Sequence, residues 1–484
     1  MYYTRKPQLS TDYYQLSMSN VYINDDKKDD IAVFDLFIRN NPFKGGYTVC
    51  AGLEQVVDFL LNIHFTEEDI QLLKRNHPEL SEAFLEHLLH FTFTGELYAI
   101  PEGTIIFSHE PIIRIKAPLI QAQIIETAIL SIINHQSLIA TKAARIVQAA
   151  DGDPVLEFGL RRAHGSESGL YGARAAIIGG CVGTSNVESE YLVNLPSKGT
   201  MSHSFILSYD SEYEAFEKFA LYNPNNITLL VDTYNTLESG VPHAIQLFKA
   251  LQENNQLPKM YGIRLDSGDL AYLSKEARKM LDAAGFQQAV ISASSDLDEY
   301  LVRDLKLQGA EIQLWGVGTK LITAYDQPAL GAVYKLAQLT SQGKIINKLK
   351  VSNDPGKITN PGYKKVIRVY DNFSNKALAD VIMLDEEVID ENKPLTIFHP
   401  IYTWKKRVLT DFSTKELLVP VIYNGQLVYD LPRIEQIQKH TKEEYETFWP
   451  AITRFTNPHE YHVDLSPKLW NLKNNILNEI YTSP

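Results

Sequence analysis

Three short apolar runs between residues 157 and 205 decide the fold, and each run stops at polar or cationic residues. They are E-F-G-L-R-R-A-H-G (157–165), G-G-C-V-G-T-S-N-V (179–187) and G-T-M-S-H-S-F (199–205). If these runs are neighbouring parallel strands, their carboxyl ends converge at one edge of a sheet. The polar residues that follow the runs would then enclose a pocket for an anionic ligand.

Beyond residue 155, strand-like and helical segments alternate along the chain. The predicted strands cover 155–158, 227–231, 260–265, 289–292 and 312–315, with short strands near Cys181 and Thr200. The predicted helices cover 170–178, 241–254, 270–284 and 297–307, and another begins at the S-x-x-E box of Ser211. This alternation is typical of βαβ units and a parallel sheet. Roughly seven units favour a closed or nearly closed barrel over an open sheet.

The regions on either side of this alternation have a different pattern of predicted secondary structure. Residues 1–118 predict a β-rich α+β domain, 119–345 the irregular parallel α/β barrel, and 346–484 an accessory domain of hairpins and loops. The Thr66-x-x-Asp69 pattern predicts a helix cap, and Asn424-Gly425 predicts a two-residue hairpin turn. The apolar stretch 119–146 is interrupted by charged and amide residues, so it predicts a buried helix pair or one long core helix.

Composition restricts the class of partner. The chain has 484 residues and a formal net charge of −13, which argues against binding to nucleic acid or an anionic membrane surface. Its two cysteines suit a reducing compartment and exclude a disulfide framework. The first residues contain no apolar run, so we expect no signal peptide and a cytoplasmic protein.

The ends of the predicted strands carry the charged side chains that could bind a ligand or take part in catalysis. Arg161 and Arg264 can bind phosphate or carboxylate through planar, bidentate hydrogen bonds, although structural ion pairs would explain either one. Asp232, Asp266 and Asp269 offer hard oxygens for Mg²⁺, directly or through water. Helix capping is the competing interpretation for Asp269.

Further strand-end groups suit phosphate and an aromatic ring. Gly316, Gly318 and Thr319 allow a close backbone approach, as in a phosphate cradle. Phe158 near Arg161 suits a flat anionic ring, although an ordinary core Phe is as probable on spacing alone. His203 has no Cys or His neighbour at metal-ligand spacing, which excludes zinc and leaves a general base or a structural role.

The motifs together resemble one family. F-G-L-R-R-A-H-G, G-T-S-N-V, G-T-M-S-H-S-F, L-V-D-T-Y-N-T, G-I-R-L-D-S-G-D-L and W-G-V-G-T-K-L occur in the order and spacing of nicotinate phosphoribosyltransferases. T-D-Y-Y-Q-L (11–16), residues 126–145 and N-P-H-E-Y-H-V-D-L-S-P (457–467) extend the likeness over nearly the whole chain.

The resemblance implies a reaction and its partners. Nicotinate and phosphoribosyl pyrophosphate would give nicotinate mononucleotide and pyrophosphate in NAD salvage, coupled to ATP hydrolysis. His203 would be phosphorylated by ATP, and Mg²⁺ would assist. By the same resemblance, the fold would be an irregular α/β barrel with a β-rich companion domain, and the active enzyme would be a homodimer whose active site is shared between chains.

The resemblance also implies roles for single residues. The partner's Tyr14 would stack on the pyridine ring opposite Phe158, and Thr184 would help to bind substrate. We assign the nicotinate carboxylate to Arg264, and Arg161 to both the ring and the pyrophosphate. Asp232 and Asp266 would hold metal or ribose hydroxyls. The 5′-phosphate would contact Ser294, Ser295, Gly316, Gly318 and Thr319.

Ser185 bears on the choice of substrate. Nicotinamide-using relatives carry an Asp at this position, and a neutral hydroxyl removes its repulsion of nicotinate. Three alternatives stay open: a nicotinamide- or quinolinate-using enzyme, the phosphoribosyltransferase class with two acids before T-G-G-T, and a non-catalytic sugar-phosphate sensor. Residues 229–236 contain one acid and no glycine, which disfavours the second. A sensor has no need of His203 beside carboxylates.

Overall fold

The computed structural model describes residues 5–402 and 404–482, and these divide into two compact units. Unit 1 comprises the described residues of Met1–Leu138 and Ala329–Pro484, and unit 2 is the continuous stretch Ile139–Pro328. The units are defined by spatial contacts, whereas the predicted domains 1–118, 119–345 and 346–484 are segments of sequence. That three-part division therefore stays a prediction.

The first part of the chain combines helices with short strands. Its strands are β1 (Ile31–Ile38), β2 (Thr48–Val49), β3 (Glu96–Ala99), β4 (Ile105–Ile106) and β5 (Ile113–Pro118). Its helices are α1 (Tyr13–Asn24), α2 (Leu53–Asn62), α3 (Glu67–Asn76), α4 (Glu82–Leu89), α5 (Leu119–Ile124) and α6 (Glu126–Ala149). The long apolar stretch is therefore a helix pair. Thr66 and Asp69 form the predicted capping box of α3.

Unit 2 contains the alternating strands and helices. Its strands are β6 (Val155–Glu157), β7 (Gly183–Thr184), β8 (Ile227–Leu230), β9 (Tyr261–Leu265), β10 (Val290–Ser295) and β11 (Leu314–Val317). Its helices are α7 (Ser166–Ile178), α8 (Glu190–Val193), α9 (His203–Leu207), α10 (Glu212–Tyr222), α11 (Val241–Glu253), α12 (Leu270–Ala283), α13 (Glu299–Leu307) and α14 (Thr319–Ile322). The predicted βαβ alternation is confirmed.

The six strands of unit 2 form one parallel sheet in the order β7-β6-β11-β10-β9-β8. The sheet is a half-barrel, because no pairing joins β7 to β8 in the described part of the chain. The predicted strand near Thr200 is wrong: residues 194–202 are irregular, and His203 begins α9. Pro196 and Gly199 explain this, since proline removes a ladder donor and glycine weakens a strand.

The rest of the chain returns to unit 1 and is rich in strands. These are β12 (Ala332–Ser341), β13 (Lys344–Asn347), β14 (Lys364–Asp371), β15 (Ala377–Leu384), β16 (Leu395–Phe398), β17 (Lys406–Leu409), β18 (Phe412–Glu416), β19 (Val419–Tyr423), β20 (Gln426–Leu427) and β21 (Val463–Leu465). The helices are α15 (Ile434–Glu446), α16 (Pro450–Thr453) and α17 (Pro467–Thr482).

Pairing in unit 1 joins strands that are far apart in sequence. A seven-stranded sheet runs β13-β12-β1-β5-β3-β19-β20, and a six-stranded sheet runs β17-β16-β21-β15-β14-β18. The predicted hairpin is confirmed, with Asn424 (φ 50°) and Gly425 (φ 74°) both left-handed between β19 and β20. In the described part of the chain, every helix is too short or too polar to cross a lipid bilayer.

Candidate active site

A cleft of about 510 Å³ lies at the carboxyl ends of the unit 2 strands. Parallel pairing places these ends on one edge of the sheet, with Ser294 beside Gly316 and Ser292 beside Arg264. Ten residues predicted for the site line the cleft: Phe158, Arg161, Ser185, Arg264, Asp266, Ser294, Ser295, Gly316, Gly318 and Thr319. The strand-end pattern therefore brings together residues from distant parts of the sequence.

A buried carboxyl group fixes the ends of β6 and β7 beneath the cleft. Glu157 accepts hydrogen bonds from the backbone N–H of Gly159 and from the hydroxyl of Thr184, the latter at 2.6 Å. Burial raises the pKa of Glu157, and these two hydrogen bonds partly oppose that shift. Thr184 is itself buried, so it supports the cleft instead of lining it. The backbone N–H of Ser185 donates to the Glu157 carbonyl at 2.9 Å.

Phe158 forms an aromatic wall because glycine lies behind it. A Cβ atom on Gly316 would approach Cδ2 of Phe158 to 2.8 Å, closer than side chains tolerate. The backbone N–H of Phe158 donates to the carbonyl of Val317 at 2.8 Å, which ties β6 to β11. The ring thus has a fixed position from which it can stack on a flat ligand.

Two arginines give the cleft its positive charge. Nη1 of Arg264 donates to Oγ1 of Thr200 at 2.6 Å, and Nη2 lies 3.9 Å from Oδ1 of Asp266. Nε of Arg264 is buried without a hydrogen-bond partner among the described residues. Burial lowers the pKa of Arg264, although Asp266 and Asp232 oppose the shift. Arg161 is exposed and forms no ion pair with any described residue, so it is available to an anion.

His203 faces two carboxylates at the edge of the cleft. Its Nε2 lies 3.7 Å from Oδ2 of Asp266 and 4.0 Å from Oδ1 of Asp232. Its Nδ1 lies 3.1 Å from the hydroxyl of Thr233. The imidazole is 40% exposed, so a ligand in solution can reach it.

Asp232 is held from one side only. Its Oδ2 accepts from the backbone N–H of Asp266 at 2.9 Å and from the hydroxyl of Ser267 at 2.6 Å. Its Oδ1 is buried and has no hydrogen-bond partner in the described part of the chain. A buried carboxylate oxygen without a partner is costly, so this atom suits a bound cation.

The fit to a metal ion rests on two carboxylates. No group of three or more His, Cys, Asp or Glu side chains within 5–402 and 404–482 could hold a metal ion. Asp232 and Asp266 would therefore need ligand or water oxygens to complete a Mg²⁺ shell, which is how proteins usually bind this ion. Asp269 does not belong to this group, because its Oδ1 accepts from the N–H of Tyr272 and caps α12.

Known sequences decide the family. Family models match residues 9–134 (nicotinate phosphoribosyltransferase N-terminal domain), 154–379 (nicotinate phosphoribosyltransferase family) and 363–473 (C-terminal domain). The nicotinate phosphoribosyltransferase of Bacillus subtilis is 46% identical over 472 residues, which cover 98% of this chain and 95% of that protein. The chain belongs to the nicotinate phosphoribosyltransferase family.

More distant members of the family agree. The nicotinate phosphoribosyltransferase of Dictyostelium discoideum is 34% identical over 97% of this chain and 88% of its own length. The crystal structure of human nicotinic acid phosphoribosyltransferase matches with a TM-score of 0.85 and 28% identity, covering 96% of this chain and 99% of that one. The irregular α/β barrel fold with N- and C-terminal companion regions is thus confirmed.

The predicted partner-facing residue lies outside unit 2. Tyr14 is on α1 of unit 1 and is 49% exposed. Asp12 precedes α1, and its carboxylate accepts from the hydroxyl of Thr127 at 2.9 Å. The role of Tyr14 in a shared active site stays a prediction for this member of the family.

Several residues at the cleft were not predicted from the sequence. Thr200 receives the hydrogen bond of Arg264, and Gly199, Met201 and Ser202 line the same wall. These residues belong to the G-T-M-S motif, but a strand was expected near Thr200. Their position in a loop that lines the cleft was therefore not predicted. Glu157 was also missed, because an acid inside an apolar run gives no sign of what it supports.

Proposed function

We propose that this chain transfers the phosphoribosyl group of phosphoribosyl pyrophosphate to nicotinate, producing nicotinate mononucleotide and pyrophosphate for NAD salvage. We further propose that ATP hydrolysis drives the reaction through a phosphohistidine at His203. The supporting observation is the placement of His203 within 4.0 Å of Asp232 and Asp266, beside a cleft that carries Arg161 and Arg264.

Nicotinate is proposed to lie flat against Phe158. Its carboxylate would exchange places with the Thr200 hydroxyl at Arg264, whose Nε has no partner among the described residues. A charge-assisted pair contributes more than a bond to a neutral hydroxyl, which favours the exchange. In the proposed homodimer, the partner's Tyr14 would cover the other face of the ring.

Phosphoribosyl pyrophosphate is proposed to occupy the rest of the cleft. Its 5′-phosphate would approach the backbone at Gly316 and Gly318 and the hydroxyls of Ser294, Ser295 and Thr319. Arg161 would neutralise charge that develops on the departing pyrophosphate. Asp232 and Asp266 would hold Mg²⁺, which would supply further charge neutralisation at the pyrophosphate when bound.

ATP is proposed to act by phosphorylating His203. A ring nitrogen of His203 would attack the γ-phosphorus, forming an N–P bond as ADP departs, and water would later cleave that bond. The carboxylates of Asp232 and Asp266, which lie within 4.0 Å of Nε2, would help to orient the imidazole for this attack. The phosphate on His203 would add charge and acceptor oxygens at the edge of the cleft. We also propose that the protein is cytoplasmic.

Replacement of His203 tests the coupling. We expect His203→Ala to lose ATP hydrolysis and its stimulation of the transferase, while a slow ATP-independent transfer persists. Phosphate release from ATP, measured with and without nicotinate and phosphoribosyl pyrophosphate, gives the first quantity, and labelled nicotinate gives the second. His90→Ala is a matched control, because His90 is an exposed histidine on the surface of unit 1. Intact ATP coupling in His203→Ala would end the phosphohistidine proposal.

A further inference from the structure

Unit 1 contains a cavity of its own, with a volume of about 480 Å³. One wall is formed by residues 399–401 and 404–407, and the others are the segments after β1, before Glu110 and around β21. None of its lining residues belongs to the cleft in unit 2. The volume lies in the range of cavities that hold small ligands.

The cavity is cationic although the chain as a whole is acidic. Four of its lining residues are Arg39, Lys405, Lys406 and Arg407, against the two acids Glu460 and Asp464. None of the four cations forms an ion pair with a described residue. A group of neighbouring cations without ion pairs creates a local positive field that attracts anions.

Arg407 is the most informative of these cations. Its Nη1 is buried and has no hydrogen-bond partner in the described part of the chain. A buried guanidinium N–H without an acceptor is costly, and a bound anion would remove that cost. The nearby Asp464 does not supply this acceptor; burial raises its pKa to about 6, although Arg407 opposes the shift.

The histidines of the cavity add donors instead of metal ligands. Nδ1 of His399 accepts from the backbone N–H groups of Ile401 at 3.1 Å and Tyr402 at 3.0 Å. The proton of the neutral ring is therefore on Nε2, which can donate. His109, His399 and His462 all have lowered pKa values, first because of burial and then because of neighbouring cations. No metal-binding group of three is present among the described residues.

Exposed aromatic rings lie beside the cations. Trp404 lines the cavity and is 75% exposed, and its ring centroid lies 5.3 Å from that of Tyr402. Nζ of Lys405 lies 4.5 Å from the centre of the Tyr402 ring. An exposed tryptophan can stack on a nucleobase while neighbouring cations bind its phosphates, as aromatic and cationic side chains do in single-stranded nucleic-acid sites.

We propose that this cavity binds a nucleoside di- or triphosphate, with phosphates at Arg39, Lys405 and Arg407 and the base stacked on Trp404. More than one phosphate matches the number of unpaired cations. The site is formed by unit 1 alone and does not depend on the chemistry proposed for His203.

Photolabelling locates the site directly. Under ultraviolet light, 8-azido-ADP should label the tryptic peptide 377–405, which contains Tyr402 and Trp404 and ends at Lys405. The label should persist in His203→Ala, which separates it from ATP use in unit 2. Labelling confined to peptides of residues 139–328 would overturn the proposal.

Variants and competitors then test the recognition chemistry. Arg407→Gln and Trp404→Ala should each weaken 8-azido-ADP binding at least tenfold, and Lys439→Gln, which removes an exposed charge on α15, should change it less than twofold. Lys405→Gln, at an exposed position, serves if Arg407→Gln fails to fold. ADP and pyrophosphate should displace the label, and adenosine should not. Equal displacement by adenosine, or unchanged affinity in the Arg407 and Lys405 variants, would contradict the proposal.

Discussion

Ser185 is the residue at which the proposed choice between acid and amide substrates can be tested. Its backbone is tied to Glu157 and its side chain lines the cleft that contains Arg264. The position of the chain is therefore fixed, and a longer acidic side chain would project toward the ligand.

We expect Ser185→Asp to raise the KM for nicotinate at least tenfold, about 1.4 kcal/mol. The physical reason is repulsion between two carboxylates in a partly buried cleft, where water screens charge poorly. Steady-state kinetics with nicotinate and with nicotinamide measures the effect. Ser185→Ala is the control, since it removes the hydroxyl without adding charge, and nicotinate kinetics unchanged in Ser185→Asp would refute the argument.

Single site residues were predictable where a strand ends. Arg264, Asp266 and Gly316 each follow or end an apolar run, and parallel strands bring such positions to one edge. Thr200 was not predictable in the same way, because it lies in a loop with no periodic pattern. The hydrogen bond that Thr200 accepts from Arg264 is visible only in the folded structure.

At the scale of elements, the start of α3 is stabilised by several hydrogen bonds and an ion pair at one residue, Asp69. Asp69 accepts hydrogen bonds from Gln8 at 2.7 Å and from the backbone N–H of Thr66 at 2.9 Å. Lys6 lies 3.2 Å from its other oxygen. Burial alone would raise the pKa of Asp69, but these hydrogen bonds outweigh it and lower the pKa to about 2.

We expect Asp69→Asn to weaken α3 by about 1–2 kcal/mol, since it loses the charge that the cap and Lys6 stabilise. Because the folded pKa is depressed, the contribution of Asp69 is present above about pH 4 and is lost as the pH falls toward about 2. Hydrogen exchange of residues 67–76 over this range measures both effects. Glu67→Gln, at an exposed position in the same first turn, should behave like the wild type, and an unchanged exchange profile in Asp69→Asn would contradict the prediction.

Elements were predictable to within a few residues wherever caps and apolar periods agreed. α12, for instance, was expected over 270–284 and spans Leu270–Ala283, because Asp269 caps it and its apolar face is regular. The strand expected near Thr200 failed because Met201 is the one apolar side chain in 199–204, too weak a signal to outweigh Pro196 and Gly199.

For the whole molecule, strand pairing in unit 1 depends on residues far apart in the chain. β1 pairs with β12, and β3 pairs with β19. No local sequence pattern identifies these pairing partners, because the alternation of apolar residues in a strand does not depend on which strand lies beside it. The strands were therefore predictable from the sequence, and their order in the sheets was not.

We expect a fragment that ends at Pro328 to be largely insoluble, because β1 and β3 would each lack a neighbour and expose an unpaired edge. The soluble fraction after expression, compared with the full chain, measures this. Co-expression of residues 329–484 should recover soluble protein, which separates a missing partner from general instability. A soluble, monomeric fragment with protected β1 amides would contradict the prediction.

The discontinuity of unit 1 also affects how the protein is made. β1 ends at Ile38 and β12 begins at Ala332, so at about 5–20 residues per second the ribosome delays their meeting by roughly 15–60 s. Unit 2, being one uninterrupted stretch, emerges complete within that interval. One edge of β1 can pair with β5 as soon as that strand has emerged, but the edge that β12 covers stays open for this time, so slower translation should lengthen its exposure.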